Sequence, residues 1–185
     1  TDWRVYTTAV DGSMDYFFFN EIDAKGNSSA TPFTSTVFEL GTNNDQNGSG
    51  KNYISYLWHS VPGLQKFGSY IGNASATDGN FIELGFRPAL IWIKALYSYD
   101  GGNTQVSETG WAIYDSARSS TNPNGDVLGI NNSYVEENNS SDVDFLSNGF
   151  TLRNNRAVNA ANGAIYCAWA EAPTFNLYGA QSNAR

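Results

Sequence analysis

Residues 85–96 read Gly-Phe-Arg-Pro-Ala-Leu-Ile-Trp-Ile-Lys-Ala-Leu, and residues 89–93 within them are continuously apolar. A short apolar run rich in β-branched and aromatic residues is typical of a strand buried on both faces. We therefore expect a central strand here. Residues 53–58 instead mix small polar and aromatic side chains, which predicts a strand with one less buried face.

Further segments of similar character follow one another at short spacing. The predicted strands are residues 3–7, 16–20, 36–40, 53–59, 81–84, 89–96, 111–114, 150–153 and 164–170. Clusters of Asn, Gly, Ser, Asp and Pro separate them, at residues 43–50, 100–103, 122–125 and 138–142. Many short strands joined by such turns are typical of a sandwich or barrel. With no sustained helical periodicity, the sequence predicts an all-β fold of antiparallel sheets packed as a sandwich.

Two segments of seventeen residues align without a gap. Residues 52–68 read NYISYLWHSVPGLQKFG, and residues 163–179 read GAIYCAWAEAPTFNLYG. The matched positions are Ile54 with Ile165, Trp58 with Trp169, Pro62 with Pro173 and Gly68 with Gly179. Residues 2–6 and 110–114 match in the same order at nearly the same separation, so we infer a duplicated unit. The alternative is two unrelated aromatic strands that each end in a proline turn.

The duplication is asymmetric, because residues 69–109 have no counterpart in the first copy. We assign residues 1–68 to a first, incomplete half and residues 69–185 to a second, complete half. The first half is short of strands. We therefore expect one continuous structural body with two diverged, related halves.

Five ordered motifs resemble a domain of tailed-phage virion proteins. They are FGSYIGN at 67–73, GFRPALIWIK at 85–94, WAIYDSAR at 111–118, DFLSNGFTLR at 144–153 and YCAWAEAP at 166–173. The segments at 34–41 and 53–58 resemble what precedes these motifs in such proteins, so the resemblance covers nearly the whole chain. It implies a β-sandwich-like fold in an oligomeric virion surface protein, a tail fibre or appendage, often of marine phages. It carries over no catalytic residues.

The charge balance excludes one class of partner. Ten Lys and Arg oppose 18 Asp and Glu, which gives a net charge of −8. Phosphate binding needs clustered Lys and Arg, and the sequence has no such cluster, so we expect no nucleic-acid partner. The acidity serves either solubility or the attraction of cations. No apolar stretch approaches the ~18–20 residues of a membrane span, so no membrane insertion is expected.

Candidate groups for hydrolysis lack partners in the sequence. The single histidine, His59, aligns with Ala170 in the second copy, so it is a poor candidate for a shared general base. Glycoside hydrolysis needs two carboxylates that face each other. Glu83, Glu171 and Asp115 lie near apolar strands, but no spacing pairs them. We therefore expect that the chain is not an enzyme, with glycan cleavage as the remaining alternative.

Metal ligands are equally sparse. One His and one Cys exclude a typical zinc site, and Cys167 lies in an apolar run, where we expect a small buried hydrophobe. Calcium takes six to eight oxygen ligands. Residues 138–144, or Asp100 with Asn103, could supply some of them. Neither place matches an EF-hand, so no cofactor is expected, and calcium is the alternative to ordinary Asn/Asp turns.

A candidate for sugar recognition follows the apolar run, at residues 97–103. Sugar sites present aromatic faces beside Asn, Asp and Arg, and loops on a rigid β scaffold commonly carry binding. The candidate ligand-binding residues are Tyr97, Tyr99, Asp100, Asn103 and Arg118. Two alternatives stay open: the tyrosines extend a strand and pack on a neighbouring chain, and Arg118 hydrogen-bonds a carboxylate or a turn carbonyl.

The function expected from these observations is that of a virion structural protein on the surface of the extracellular particle. Its module would belong to a tail fibre or appendage, with other virion subunits and further copies of itself as partners, a trimer being one option. Host-surface glycan would be recognised through weak multivalent contacts. The alternatives are a purely structural capsid-decoration or fibre-shaft module and, last, a glycan-cleaving enzyme.

Overall fold

The computed structural model describes residues 2–97, 110–131, 133, 135–159 and 161–173. Within these ranges the strands are β1 (Arg4–Thr7), β2 (Asp15–Phe18), β3 (Gly26–Asn27), β4 (Gln65–Tyr70), β5 (Phe81–Glu83), β6 (Pro88–Ala95), β7 (Trp111–Asp115), β8 (Asn124–Gly129), β9 (Glu137–Leu146), β10 (Gly149–Leu152) and β11 (Ala164–Ala170). The helices in the same ranges are one turn long: α1 (Asn44–Asn47) and a 3-10 turn (Ala157–Asn159).

Eight strands form one large sheet in the order β4-β11-β6-β7-β8-β9-β10-β5, and each neighbouring pair is antiparallel. The sheet curls until its edge strands approach each other. Lys66 Nζ on β4 donates a hydrogen bond to the Glu83 carbonyl on β5 at 2.7 Å. This contact nearly closes the sheet into a barrel. The prediction of an all-β fold of antiparallel sheets is confirmed.

The interior of the curled sheet holds the main core. Successive strand residues point to opposite faces, so every second side chain enters it. The buried side chains of this cluster are Ile82, Leu84, Phe86, Ile91, Ile93, Ala112, Tyr114, Val127, Val143, Phe145, Phe150, Leu152, Val158, Ala164, Tyr166 and Ala168. Three of the rings, Tyr70, Phe150 and Tyr166, pack mutually with centroid separations of 5.7 to 6.2 Å.

A small sheet with the order β1-β2-β3 covers part of the outer face of the large one. Phe17 of β2 packs there in a second buried cluster with Leu96, Trp111 and Ile165. The Trp111 indole Nε1 donates to the Phe18 carbonyl at 3.0 Å. Strand β6 lies inside the large sheet, with its inner face on the core and its outer face partly covered, since Lys94 is buried and Leu90 and Trp92 are half-buried. This confirms a central strand, and the expected cover of its outer face is partial.

Two predicted strands, residues 36–40 and 53–59, have no strand structure. Both predictions were wrong for the same physical reason: a suitable residue pattern needs a neighbouring strand to pair with, and the described chain offers none at these places. The predicted turn at 138–142 was wrong in the other direction, because it lies inside β9. Within it, Asn138 Nδ2 donates across the sheet to Asp126 on β8 at 2.6 Å.

The two halves inferred from the alignment differ in local structure. Residues 164–170 form β11, while residues 53–59 are irregular. The inferred division between residues 68 and 69 falls inside β4, whose six residues all pair with β11. The duplication and its boundary stay predictions about the sequence.

Candidate functional site

Arg118 lies in the turn that follows β7, and its guanidinium is held by that turn. Its Nε donates to Asp115 Oδ2 at 2.5 Å, and its Nη2 donates to the Ile113 carbonyl at 3.1 Å. Nη1 lies 3.5 Å from the Glu136 carboxylate. Burial acts to raise the pKa of Asp115, but hydrogen bonds from the Arg118 amide and guanidinium outweigh it and hold that pKa below its ordinary value. Of the two roles considered for Arg118, the structure supports the internal hydrogen bond.

Tyr97 follows β6 directly, and its side chain is 54% exposed. The register of β6 with β7 pairs Lys94 with Trp111 at one end and Leu90 with Asp115 at the other. Tyr97 therefore lies beyond one end of this strand pair and Arg118 beyond the opposite end, roughly 20 Å apart at the usual rise per residue. Tyr99, Asp100 and Asn103 lie outside the described residues. The structure thus does not bring Tyr97 and Arg118 together.

Two acidic residues considered for calcium, Asp142 and Asp144, lie on β9 and have partners of their own, and Asp100 lies outside the described residues. Asp142 is buried. Its carboxylate accepts from the Tyr114 hydroxyl at 3.1 Å and from Asn154 Nδ2 at 2.5 Å. Burial, reinforced by the charge of Asp142, raises the pKa of Tyr114 well above its ordinary value, so this hydroxyl remains a donor. Groups of three or more potential metal-binding His, Cys, Asp and Glu residues do not occur in the described ranges.

An open cleft of ≈ 460 Å³ lies on the outer side of β9, lined by Ala76, Thr77, Asn122, Pro123, Asp144 and Arg153. Arg153 Nε and Nη2 both bind Asp144 Oδ2, at 2.6 and 2.5 Å. Asp144 Oδ1 is buried and has no hydrogen-bond partner among the described residues. The cleft can thus offer a half-exposed guanidinium and a hydroxyl to a small polar ligand. Local sequence pattern does not indicate this cleft, because four separate segments of the chain supply its lining.

The remaining candidates for chemistry lie apart from one another. Glu171 pairs with Arg87 at 3.0 Å, and Glu83 is exposed on the edge strand β5. His59 is exposed, and its carbonyl accepts from Gln65 Nε2 at 2.8 Å. On β11, burial raises the pKa of the Cys167 thiol to about 12, so the thiol is protonated at neutral pH and behaves as a small hydrophobe.

The most conspicuous surface feature is the segment we call the aromatic arm, residues 51–60. Every residue of the arm is exposed, and none belongs to a helix or strand. Its large apolar side chains are Tyr53, Ile54, Tyr56, Leu57 and Trp58, which are 47 to 68% exposed. Monomeric proteins rarely expose contiguous apolar surface of this kind, which typically marks an interaction site.

The arm is tied to the body at its two ends. Before it, α1 contacts β1: the Tyr6 hydroxyl donates to Gln46 Oε1, and Arg4 lies 3.7 Å from the Asp45 carboxylate. After it, the Phe67 amide donates to Ser60 Oγ at 3.1 Å. Between these ties, residues 54–58 form no hydrogen bond with any described residue. The arm is therefore a loop with fixed ends and a middle to which no described residue is hydrogen-bonded.

The sequence around the arm also differs in charge from the rest of the chain. Residues 46–77 contain no Asp or Glu and two lysines, Lys51 and Lys66, in a chain that carries 18 acidic residues. This acid-free stretch of sequence includes the arm and β4. This charge pattern is visible in the sequence, although the residue types at 53–59 by themselves predict only a strand.

The fold and these contacts define an all-β domain with an exposed aromatic arm. The chain belongs to the family described as a domain of unknown function (DUF7483), whose profile matches residues 1–173. No curated protein and no solved structure matches the chain. In the described part of the chain, no helix is long and apolar enough to cross a membrane.

Proposed function

We propose that this chain is a structural module of a tailed-phage particle, part of a tail fibre or appendage on the particle surface, that works by assembling with other subunits. The observation that carries the proposal is the aromatic arm. Its exposed Tyr, Leu and Trp side chains suit a module whose neighbours supply the missing contacts.

The positions of the motifs that resemble phage virion proteins support a structural role. The motif at 85–94 covers most of β6, the motif at 144–153 covers the end of β9 and all of β10, and the motif at 166–173 covers most of β11. These strands build the large sheet and its core. Motifs that build a scaffold, with their acidic groups held in pairs such as Glu171 with Arg87, favour a non-enzymatic module.

The direct test is the location of the protein. Particles purified from the phage that encodes the chain should contain it by mass spectrometry, and an antibody against the domain should label an appendage in immunogold electron microscopy. Particles that lack the chain would contradict the proposal. Labelling of the capsid shell would favour the alternative of capsid decoration.

Recognition of host-surface glycan is the second candidate function, favoured by the exposed ring of Tyr97 at the end of β6. In a glycan array, the wild-type chain should bind, and Tyr97→Ala should bind about 10-fold more weakly if one stacking contact is lost. Val135→Ala is the matched control, because Val135 is 82% exposed outside this region. An array on which the wild-type chain binds nothing would leave the purely structural module.

A further inference from the structure

We propose that the cleft on the outer side of β9 is a binding site for a neutral saccharide, which it holds through Asp144, Arg153 and Thr77. The site would serve the second candidate function, recognition of glycan, on which this proposal rests, at a place other than Tyr97. The cleft volume of ≈ 460 Å³ lies within the range of about 300–1,000 Å³ that is typical of small-ligand sites.

Asp144 lines the cleft with one carboxylate oxygen that has no donor. Its neighbours in β9, Val143 and Phe145, belong to the main core, so Asp144 points to the outer face of the sheet. It is nevertheless only 6% exposed. Oδ2 accepts from Arg153, whereas Oδ1 is buried and has no hydrogen-bond partner among the described residues. Because a buried acceptor without a donor is costly, a ligand that supplies a hydroxyl donor is favoured here.

Two donors lie in the same cleft. Arg153 is 42% exposed and bonds Asp144 through Nε and Nη2, which leaves Nη1 without a partner in the described part of the chain. The Thr77 side chain makes no hydrogen bond with any described residue either. Since the long Arg153 side chain can rotate, it can admit a ligand hydroxyl beside Asp144 Oδ1. A sugar hydroxyl donates one hydrogen bond and accepts two, so adjacent hydroxyls of one ring can satisfy all three side chains.

The charges of the cleft favour a ligand without net charge. Asp144 already balances Arg153 at 2.5 Å, and the chain as a whole carries a net charge of −8, so an anion gains little here. A cation would meet the Arg153 guanidinium. Ala76 and Pro123 add apolar surface to the lining, which suits the C–H groups of a sugar ring.

The loops on the two sides of the cleft are held in place by the body of the domain. Asn122 Nδ2 donates to the Phe145 carbonyl, and Asn122 Oδ1 accepts from the Phe145 amide, both at 2.9 Å. In the loop that carries Thr77, the Ser75 carbonyl accepts from Asn159 Nδ2 at 3.0 Å. A preformed site loses little conformational freedom on binding. These contacts therefore favour a binding site over a chance surface groove.

The test is an NMR titration of the full chain with D-glucose, D-galactose, D-mannose and N-acetyl-D-glucosamine, each to about 100 mM, since an open site should bind single sugars at millimolar concentrations. At least one of the four sugars should shift the amide signals of residues 76–77, 144 and 153. Sodium acetate, the anionic probe, should leave these signals unchanged.

Two variants and one control assign the binding to the cleft. Thr77→Val removes the hydroxyl at nearly constant volume and should weaken the binding of that sugar about 5- to 10-fold. Thr36→Val is the matched control, because Thr36 is an exposed threonine outside the cleft, and it should bind as the wild type does. Arg153→Gln should weaken binding more than about 10-fold. Thermal unfolding checks that this variant is folded, and Thr77→Val decides the matter if it is not.

The proposal is overturned if none of the four sugars shifts these signals, if Thr77→Val binds as tightly as the wild type, or if acetate binds in place of sugar. Sugar-induced shifts confined to Tyr97 would also remove the cleft as the site while leaving glycan recognition in place. Labelling of particles tests the virion role separately, so the two can fail independently.

Discussion

Ile165 of β11 is 4% exposed, whereas Ile54, its aligned counterpart in the aromatic arm, is 66% exposed. Strand β11 lies between β4 and β6 and pairs with both along its length. The arm carries a similar residue pattern, yet residues 54–58 bond to nothing in the described chain. Two aligned segments therefore occupy an enclosed and an exposed position of the fold.

Strand β11 and the arm differ in whether neighbouring strands flank them, and less in their residue patterns. A strand is stable only when its backbone groups pair and one of its faces is buried. For β11 the flanking strands come from residues 65–70 and 88–95 of the same chain. The arm precedes β4 at a sharp turn, where Val61 pairs with Gln65, and residues 54–58 form no hydrogen bond with β4.

The largest expected effect comes from proline at matched positions. Ala168 is fully buried in β11, and proline there removes a ladder hydrogen bond from a central strand. Ala168→Pro should lower the free energy of unfolding by about 3 kcal/mol or more. The aligned change Leu57→Pro should alter monomer stability by less than about 0.5 kcal/mol. Urea unfolding of the monomer measures the free energy of unfolding of both variants. A large loss of stability in Leu57→Pro would contradict the expected difference between the two positions.

Replacing the aligned residues Ile165 and Ile54 by alanine should give a smaller difference in stability than the proline variants. Ile165 packs in the second cluster with Phe17, Leu96 and Trp111, so Ile165→Ala should cost about 2–5 kcal/mol. Ile54→Ala should cost less than about 0.5 kcal/mol in the monomer. Thermal or urea unfolding of the two variants checks this, and comparable losses would mean that the arm is packed in solution.

The surroundings of β11 include a buried lysine that makes stability depend on pH. Lys94 is paired with Ile165, and burial, partly offset by the charge of Asp23, lowers its pKa to about 8. Between pH 8 and the ordinary value of 10.5, the unfolded chain holds a proton that the folded chain has released. Stability therefore rises with pH in this window, by about 1 kcal/mol from pH 8 to pH 9.

Lys94→Met should remove this rise, as measured by urea unfolding at pH 7, 8 and 9. Cys167 is present in the wild type and in Lys94→Met. Its raised pKa makes stability fall as pH rises, because the folded state retains a proton that the unfolded chain releases. The difference in stability between the wild type and Lys94→Met therefore cancels the contribution of Cys167. A pH dependence that is unchanged in Lys94→Met would contradict the assignment.

The smallest expected change in stability concerns the hydrogen bond from Tyr6 to Gln46, which holds the chain just before the arm. Tyr6→Phe removes the hydrogen bond to Gln46 and should cost less than about 1 kcal/mol of stability. It should nevertheless speed tryptic cleavage after Lys51 in the monomer, because the arm loses one fixed end. Tyr16→Phe is the control, since it keeps the ring that contacts Tyr6 and Arg4 and leaves the hydrogen bond from Tyr6 to Gln46 in place. Equal cleavage rates would show that the tie does not restrain the arm.

Much of the scaffold could be predicted from local pattern, but the candidate site could not. Strands such as β6 and β11 follow from residue types that suit a buried, pleated surface. Strand β9 was missed because its Asn, Ser and Asp residues read as a turn. Its pairing with β8 and β10 outweighs that local preference. The cleft at Asp144 and Arg153 forms only when four separate segments of the chain meet, and no local sequence pattern encodes that meeting.

The sequence by itself determined that the chain is all-β, because the alternation and the β-branched and aromatic content are properties of each segment alone. It also determined the acidic character of the chain and the acid-free stretch at 46–77. Only the tertiary structure decided that Arg118 is held by Asp115, that β11 is enclosed and that the arm is left open. Strand partners are distant in sequence, so whether a strand-like segment is paired depends on how the whole chain closes.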